Sequence, residues 1–151
     1  MTDIRIAIGS DHRGFRMKGA LRKMLEHLNI PVEDMGTDSA VSTDYPVYAA
    51  RVAAAVESGA CTRGILICGS GIGMSVTANK FKGVRAALCH NLQTAEMCRR
   101  HNNSNVLVLA EDLGEDLSVK ILKVWLETPF EGGRHQQRLD LIAEIENRNF
   151  K

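Results

Sequence analysis

The sequence carries almost no net charge. Its 19 Lys and Arg stand against 18 Asp and Glu, a formal balance of +1, which removes the broad attraction that a nucleic acid or an anionic membrane would need. Any binding must come from local arrangement. Apolar runs long enough to span a bilayer, ~20 residues, are missing, and the opening Met1-Thr2-Asp3 has neither a cationic stretch nor an apolar one behind it. A soluble, unexported, cytoplasmic protein is the expectation. Cysteine is sparse: Cys61, Cys68, Cys89 and Cys98 form no CxxC pair in a chain large enough to hold itself together by its core. That pattern predicts reduced thiols rather than a disulfide framework. Hydrophobic residues at 44% and charged residues at 25% are ordinary globular values, so disorder and fibrous repeats are excluded too. A length of 151 residues is that of one α/β domain, read here as 1–151.

Three short runs rich in Ile, Val and Leu predict strands: Ile4 to Ile8, Ile65 to Cys68 and Val106 to Leu109. None alternates apolar with polar residues, as expected of strands covered on both faces. Val32 to Asp34 and Ala86 to Cys89 are weaker candidates. Between them lie helical patterns. Met17, Leu21, Met24, Leu25 and Leu28 form one stripe that Pro31 stops; Tyr45 to Ser58 has Pro46 in its first turn and Gly59 after its end. Gly73 to Phe81, Leu92 to His101 and Asp116 to Glu127 supply three more. Regular alternation predicts a three-layer α/β/α, Rossmann-like fold around a mostly parallel five-stranded sheet. The segment from Glu131 to Lys151 arrives after the sheet is complete: a Gly132-Gly133 turn, then a helix with apolar residues on more than one face. It either packs on a second subunit or caps its own core.

Ligands in such sheets bind beyond the carboxyl ends of the strands. After the first strand stands Gly9-Ser10-Asp11-His12-Arg13-Gly14, where Asp11 is either a helix cap or an acid of the site, and His12 has no comparable structural role. After the third comes Cys68-Gly69-Ser70-Gly71-Ile72-Gly73-Met74-Ser75. Three glycines in five residues let backbone N–H groups turn toward an anion ahead of a helix. The spacing is neither Walker A nor the dinucleotide fingerprint, and Met74 stands where a phosphatase loop would need arginine. Cys68 opens this cradle; an ordinary thiol titrates near ~8.5, and oriented amides favour its thiolate as a base. The other three cysteines read as buried small hydrophobes. Cys98 and His101 lie three apart on a helix, but no second close pair completes a tetrahedral metal site, and none is expected. His101, with Asn102 and Asn103, is read as a helix-end cluster facing the sheet's carboxyl edge. Arg134 and Arg138 lie four apart on one helical face, the spacing of a phosphate clamp or of a solvated pair.

These residues resemble the type B ribose-5-phosphate isomerases, the family that also includes the galactose-6-phosphate isomerase subunits. The matching segments run in order: Gly9 to His12, Gly36-Thr37, Asp44 to Pro46, Ile67 to Gly73, Ala78 to Lys80, Gly83 to Ala87, His101 to Asn105 and Phe130 to His135. The resemblance implies a cofactor-free homodimer, or dimer of dimers, that interconverts an aldose phosphate and a ketose phosphate at sites shared between subunits. It implies Cys68 as the base, Ser70 and the amides of Gly69 to Ser75 holding the enediolate, and Asp11 and His101 in ring opening. Tyr45, Asn79 and Asn102 would line the sugar site, and His12, Arg134 and Arg138 would hold phosphate. The sequence departs from the family after Val106 to Leu109. Asp112 stands at the position read as matching an arginine that assists phosphate binding, so either a ligand is lost or the acid pairs with an arginine and orients it.

Overall fold

The computed structural model describes residues 3–150. Five strands alternate with helices: β1 Ile6–Ser10, α1 Phe15–His27, β2 Val32–Asp34, α2 Tyr45–Glu57, β3 Arg63–Cys68, α3 Ile72–Ala78, β4 Ala86–Leu88, α4 Leu92–Asn102 and β5 Val106–Ala110. A single 3-10 turn, Glu111–Leu113, leads into α5 Glu115–Glu127, and α6 Arg134–Asn149 ends the chain. The sheet order is β2-β1-β3-β5-β4, and every pairing is parallel.

The three apolar runs become the three central strands, and their side chains are buried on both faces except at Arg63. On one face α1, α4 and α5 contribute Leu21, Leu25, Ala95, Ile121, Leu122 and Trp125. On the other, α2 and α3 contribute Ala49, Val52, Ala53, Met74 and Ala78. Helices stand on both faces because each parallel neighbour requires a crossover, which a helix supplies. The first strand sits two residues later than the apolar run suggests. The Arg5 N–H is diverted from the ladder to Thr62 Oγ1 at 2.9 Å, although its carbonyl still accepts from Arg63, and Ser10 pairs with Ile67 at the other end. The third helix stops at Ala78 because the Asn79 side chain locks onto Ala86: Oδ1 accepts the Ala86 N–H at 2.9 Å and Nδ2 donates to its carbonyl at 3.1 Å.

The last helix begins at Arg134 and buries only His135 and Leu139. Leu141, Ile142 and Ile145 remain exposed, as do Ile72 and Val76 on α3. No helix among the described residues is long and apolar enough to cross a membrane.

Candidate active site

The loop after β1 is organised by Asp11. Its buried carboxylate accepts the Arg13 N–H at 2.9 Å and the Gly14 N–H at 3.2 Å, both on Oδ1. The carboxylate thus closes the turn just ahead of α1 rather than capping the helix, whose N-cap is Gly14 with no side-chain bond, and it commits one oxygen only. His12 accepts the Thr43 N–H on Nδ1 at 3.2 Å, which leaves its proton on Nε2 as a donor. Gly36 and Thr37 bond to the backbone of Ser10 at 2.8 Å each, so the loop between β2 and α2 is drawn up against the end of β1. Lys18 secures the same loop from below. Its buried ammonium donates to Asp34 Oδ1 at 2.7 Å and to the Thr37 carbonyl. Burial pushes the Asp34 carboxyl upward, but the Lys18 hydrogen bond, the Gly36 N–H and the charges of Lys18 and Arg22 outweigh it and leave the group below its ordinary value.

Cys68 ends β3 as a buried residue, 5% exposed, and Sγ accepts the Gly71 N–H at 3.2 Å. Gly71 takes a φ of 78°, and a Cβ there would come within 2.4 Å of Leu88, so the cradle closes only around glycine. Ser70 Oγ accepts the Ile72 N–H at 3.2 Å. The Tyr45 ring lies directly on Gly73, where a Cβ would meet its Cε1 and Cζ at 2.4 Å. Met74 is fully buried among the α2 and α3 side chains, so what it offers the loop is backbone. Asp11, His12, Tyr45, Cys68, Ser70 and the glycine loop thus stand at the same, carboxyl, edge of the sheet.

The second group of expected residues lies elsewhere. Helix α4 descends from β4 and ends at the amino edge: the carbonyls of Asn102 and Asn103 accept from Arg85 Nε, just before β4, at 3.1 Å each, and Asn105 accepts the N–H of Gly64 at the start of β3. The placement of His101 and Asn102 at the carboxyl edge is therefore corrected. A helix crossing between parallel strands must return to the opposite edge before the next strand begins. Arg134 and Arg138 are at that amino edge too, because the Glu131 N–H bonds to the Arg100 carbonyl at 3.0 Å and α6 starts three residues later. Cys68 pairs with Ala110 and Gly64 with Val106. The two groups are thus separated by at least four strand residues, about 13 Å. Asn79, with its amide spent on Ala86 and Ser75 at the far end of α3, is not beside Cys68 either.

At the amino edge the His101 and His135 rings stack, centroids 4.3 Å apart and planes 13° from parallel. His135 is buried, Nε2 lies 3.5 Å from Glu131 Oε1, and desolvation, His101 and Arg134 hold its imidazole below the ordinary histidine value. The ligand atoms of His101, Glu131 and His135 fall within 4.8 Å of one another. Near-parallel rings, however, direct their in-plane lone pairs side by side, whereas a metal requires them to converge at about 2.1 Å. The packed arrangement orients His101 and is not preformed for an ion.

The acid that meets an arginine after β5 is not Asp112. Glu111 Oε2 bonds to Arg13 Nε at 3.0 Å, while Asp112 is exposed and has no ion-pair partner among the described residues. That pairing was invisible in the sequence because it joins loops 98 residues apart. The four thiols are free and buried. Cys89 and Cys98 lie 3.7 Å apart in the core, where the hydrogen bond between them and burial push Cys89 upward; burial also raises Cys61.

A family model described as Ribose/Galactose Isomerase matches residues 6–142. The chain is 46% identical over 145 residues to ribose-5-phosphate isomerase B of Escherichia coli, covering 95% of this chain and 97% of that one. The structure of Clostridium thermocellum ribose-5-phosphate isomerase B superposes with a TM-score of 0.94 at 46% identity, over 96% of this chain and 99% of the other. That of Mycoplasma genitalium ribose-5-phosphate isomerase B with bound ribulose-5-phosphate gives 0.94 at 38% identity, over 99% and 100%. Motifs, sheet topology and these matches along nearly the whole length agree: the chain belongs to the ribose/galactose isomerase family.

Proposed function

We propose that this protein interconverts ribose 5-phosphate and ribulose 5-phosphate, with Cys68 as the proton-transfer base. The observation that carries the reading is the Cys68 thiol itself, enclosed at the tip of β3 and bonded to the first turning amide of a glycine cradle at 3.2 Å. In the open-chain aldose the thiolate takes the proton from C2, and the electron pair moves through the new C1–C2 double bond onto the carbonyl oxygen. The thiol then returns the proton to C1 while the C2 hydroxyl gives up its proton to become the ketone and the C1 oxygen takes one up to become the hydroxyl. One base of moderate pKa serves both transfers. The oxyanion of the enediolate is met by N–H dipoles already fixed by the glycine backbone. Asp11, with Oδ2 uncommitted among the described residues, assists ring opening from one side. Tyr45 closes the sugar pocket over Gly73, and His12 offers Nε2–H toward the phosphate.

His101, Asn102, Arg134 and Arg138 enter the same site from a second copy of the chain. Their position at the opposite sheet edge, farther from Cys68 than a five-carbon sugar phosphate reaches, supports this reading. So does the distribution of exposed apolar side chains: Ile72 and Val76 flank the cradle, and Leu141, Ile142 and Ile145 share a helix with the arginines. A two-fold dimer that lays α6 of each copy beside the partner's cradle covers these residues and completes two sites.

The test is isomerisation of ribose 5-phosphate by the purified protein, with Cys68→Ala alongside. Loss of a general base predicts a fall in turnover of at least ~10²-fold with substrate binding retained. Near-normal turnover of the variant would remove Cys68 from the chemistry. A wild-type protein that binds sugar phosphate without converting it is a sensor, for which no thiol at 68 is needed; faster turnover of allose or galactose 6-phosphate moves the substrate to six carbons.

A further inference from the structure

We propose that Arg13 is a substrate-binding residue, whose guanidinium pairs with the phosphate of the sugar phosphate, and that Glu111 is its positioning residue. The proposal rests on the isomerase reading for the identity of the substrate. Its basis is the charge at the carboxyl edge. The segments leaving the five strands are residues 11–14, 35–44, 69–71, 89–91 and 111–114. They carry the acids Asp11, Asp38, Asp44, Glu111 and Asp112, and Arg13 is the only Lys or Arg among them. His12, as an acceptor from Thr43, contributes a donor without a full charge. Lys18, Arg22 and Arg51 reach the same rim from α1 and α2, but Lys18 and Arg22 are held by Asp34 and Arg51 is bonded to the Met35 carbonyl, so within the strand-end segments Arg13 is the permanent cation that a dianionic ligand meets.

That cation is aimed at the cradle. A Cβ built on Gly69 would lie 3.6 Å from Arg13 Cζ and 3.8 Å from Nη1, so the guanidinium lies against the first residue after Cys68. Only Nε is engaged, by Glu111 at 3.0 Å, and the two terminal nitrogens have no partner among the described residues. A guanidinium can give Nε to one carboxylate and still present its terminal N–H groups in a fork to a phosphate. Glu111 stands at the end of β5, next to the tip of β3, and holds the otherwise exposed side chain across it. Without that contact a long surface arginine would sample many rotamers and lose part of its attraction to ordering.

The experiment measures KM and kcat for ribose 5-phosphate and the Kd of inorganic phosphate, by calorimetry, for the wild type, Arg13→Ala, Arg13→Lys, Glu111→Gln and, as a surface control, Arg16→Ala. Arg13→Ala is expected to raise both KM and the phosphate Kd roughly tenfold, the scale of one charge-assisted bond, with kcat changed less than about threefold. Arg13→Lys should recover part of the loss, and Arg16→Ala should show no loss. Glu111→Gln should weaken phosphate binding in the presence of Arg13 and leave it unaltered in the Arg13→Ala background. Unchanged KM and Kd in Arg13→Ala overturn the proposal, as does a fall in kcat alone, which would put the guanidinium at the reacting carbons. Tighter phosphate binding in Glu111→Gln overturns the positioning role, since the acid would then act only by repulsion. The phosphate Kd is readable even in a protein that fails to isomerise, so failure of the activity and failure of Arg13 are separate results.

Discussion

Mixed dimers test the shared site most directly. One parent carries Cys68→Ala and the other Arg134→Ala with Arg138→Ala; each homodimer lacks one half of both sites. Cys68 and the arginines stand at opposite edges of a sheet whose β3 and β5 are in register from Gly64–Val106 to Cys68–Ala110, a span of about 13 Å that no substrate bridges. In the proposed dimer the two halves of one site come from different chains. With two tags and tandem purification, each mixed dimer has one site free of substitutions and one with all of them, so about half of the wild-type activity per dimer is expected. The reciprocal pairing is the sharper control. When all three substitutions are placed on one chain and its partner is wild type, each site has a single damaged half, and activity should fall to near zero. A site built within one chain predicts the reverse: nothing from the first mixed dimer and about half from the second. That reversed pattern would refute the geometric reasoning whatever the residues contribute to catalysis.

Two further outcomes follow from contacts within one chain. Gly73→Ala would drive a Cβ to 2.4 Å from the Tyr45 ring, so the ring must leave the sugar pocket; KM should rise well before stability falls, and a crystal structure of the variant with Tyr45 unmoved would contradict the account. Lys18→Met would remove the buried partner of Asp34, whose carboxylate stays partly exposed and paired with Arg22, so the cost is that of a lost hydrogen bond to a charged group, about 1.5 to 3 kcal/mol, to be read as a lowered midpoint in urea. Because the Asp34 carboxyl is held below its unfolded value, its contribution is present above about pH 4 and is lost as pH falls through the lowered folded value. The acid limb of the wild-type stability curve should therefore be steeper than that of Lys18→Met; equal slopes would show that the ion pair is not coupled to folding.

Much of the fold was legible because its signals are local. The Val106 to Leu109 run and the Ala-rich stretch from Tyr45 show their environment in their own composition, and β5 and α2 form there. The cradle was legible for the same reason, since Cys68 and its glycines are contiguous and their chemistry depends on backbone direction. What could not be read was which end of each element a residue occupies. Cys68 and His101 both stand at the carboxyl-terminal end of their elements, β3 and α4, and only the rule that a crossover helix returns to the starting edge separates them. Arg13 and Glu111 were equally hidden: each is an ordinary exposed charge until the parallel order β1-β3-β5 brings their loops together. Lys18 sat on a helix whose stripe of Met17, Leu21 and Leu25 accounted for its burial, and nothing nearby in sequence announced the carboxylate that neutralises it.

Helix α6 holds to its own chain mainly by its first turns, through His135 and Leu139, with one distant hydrogen bond from the Gly83 N–H to Glu146 at 2.9 Å. Arg134 and Arg138 stand on the anchored turns, and the exposed Leu141, Ile142 and Ile145 on the turns beyond them. A helix fixed at one end and bare along the rest has little cooperative stability of its own there, so its distal turns are ordered by what they pack against. In the proposed dimer, seating those turns on the neighbouring chain and steadying the guanidinium groups become one event. The proposed phosphate-binding arm would then meet its ordering entropy during assembly, before any substrate arrives, and the sugar phosphate would encounter a clamp that no longer has to be organised.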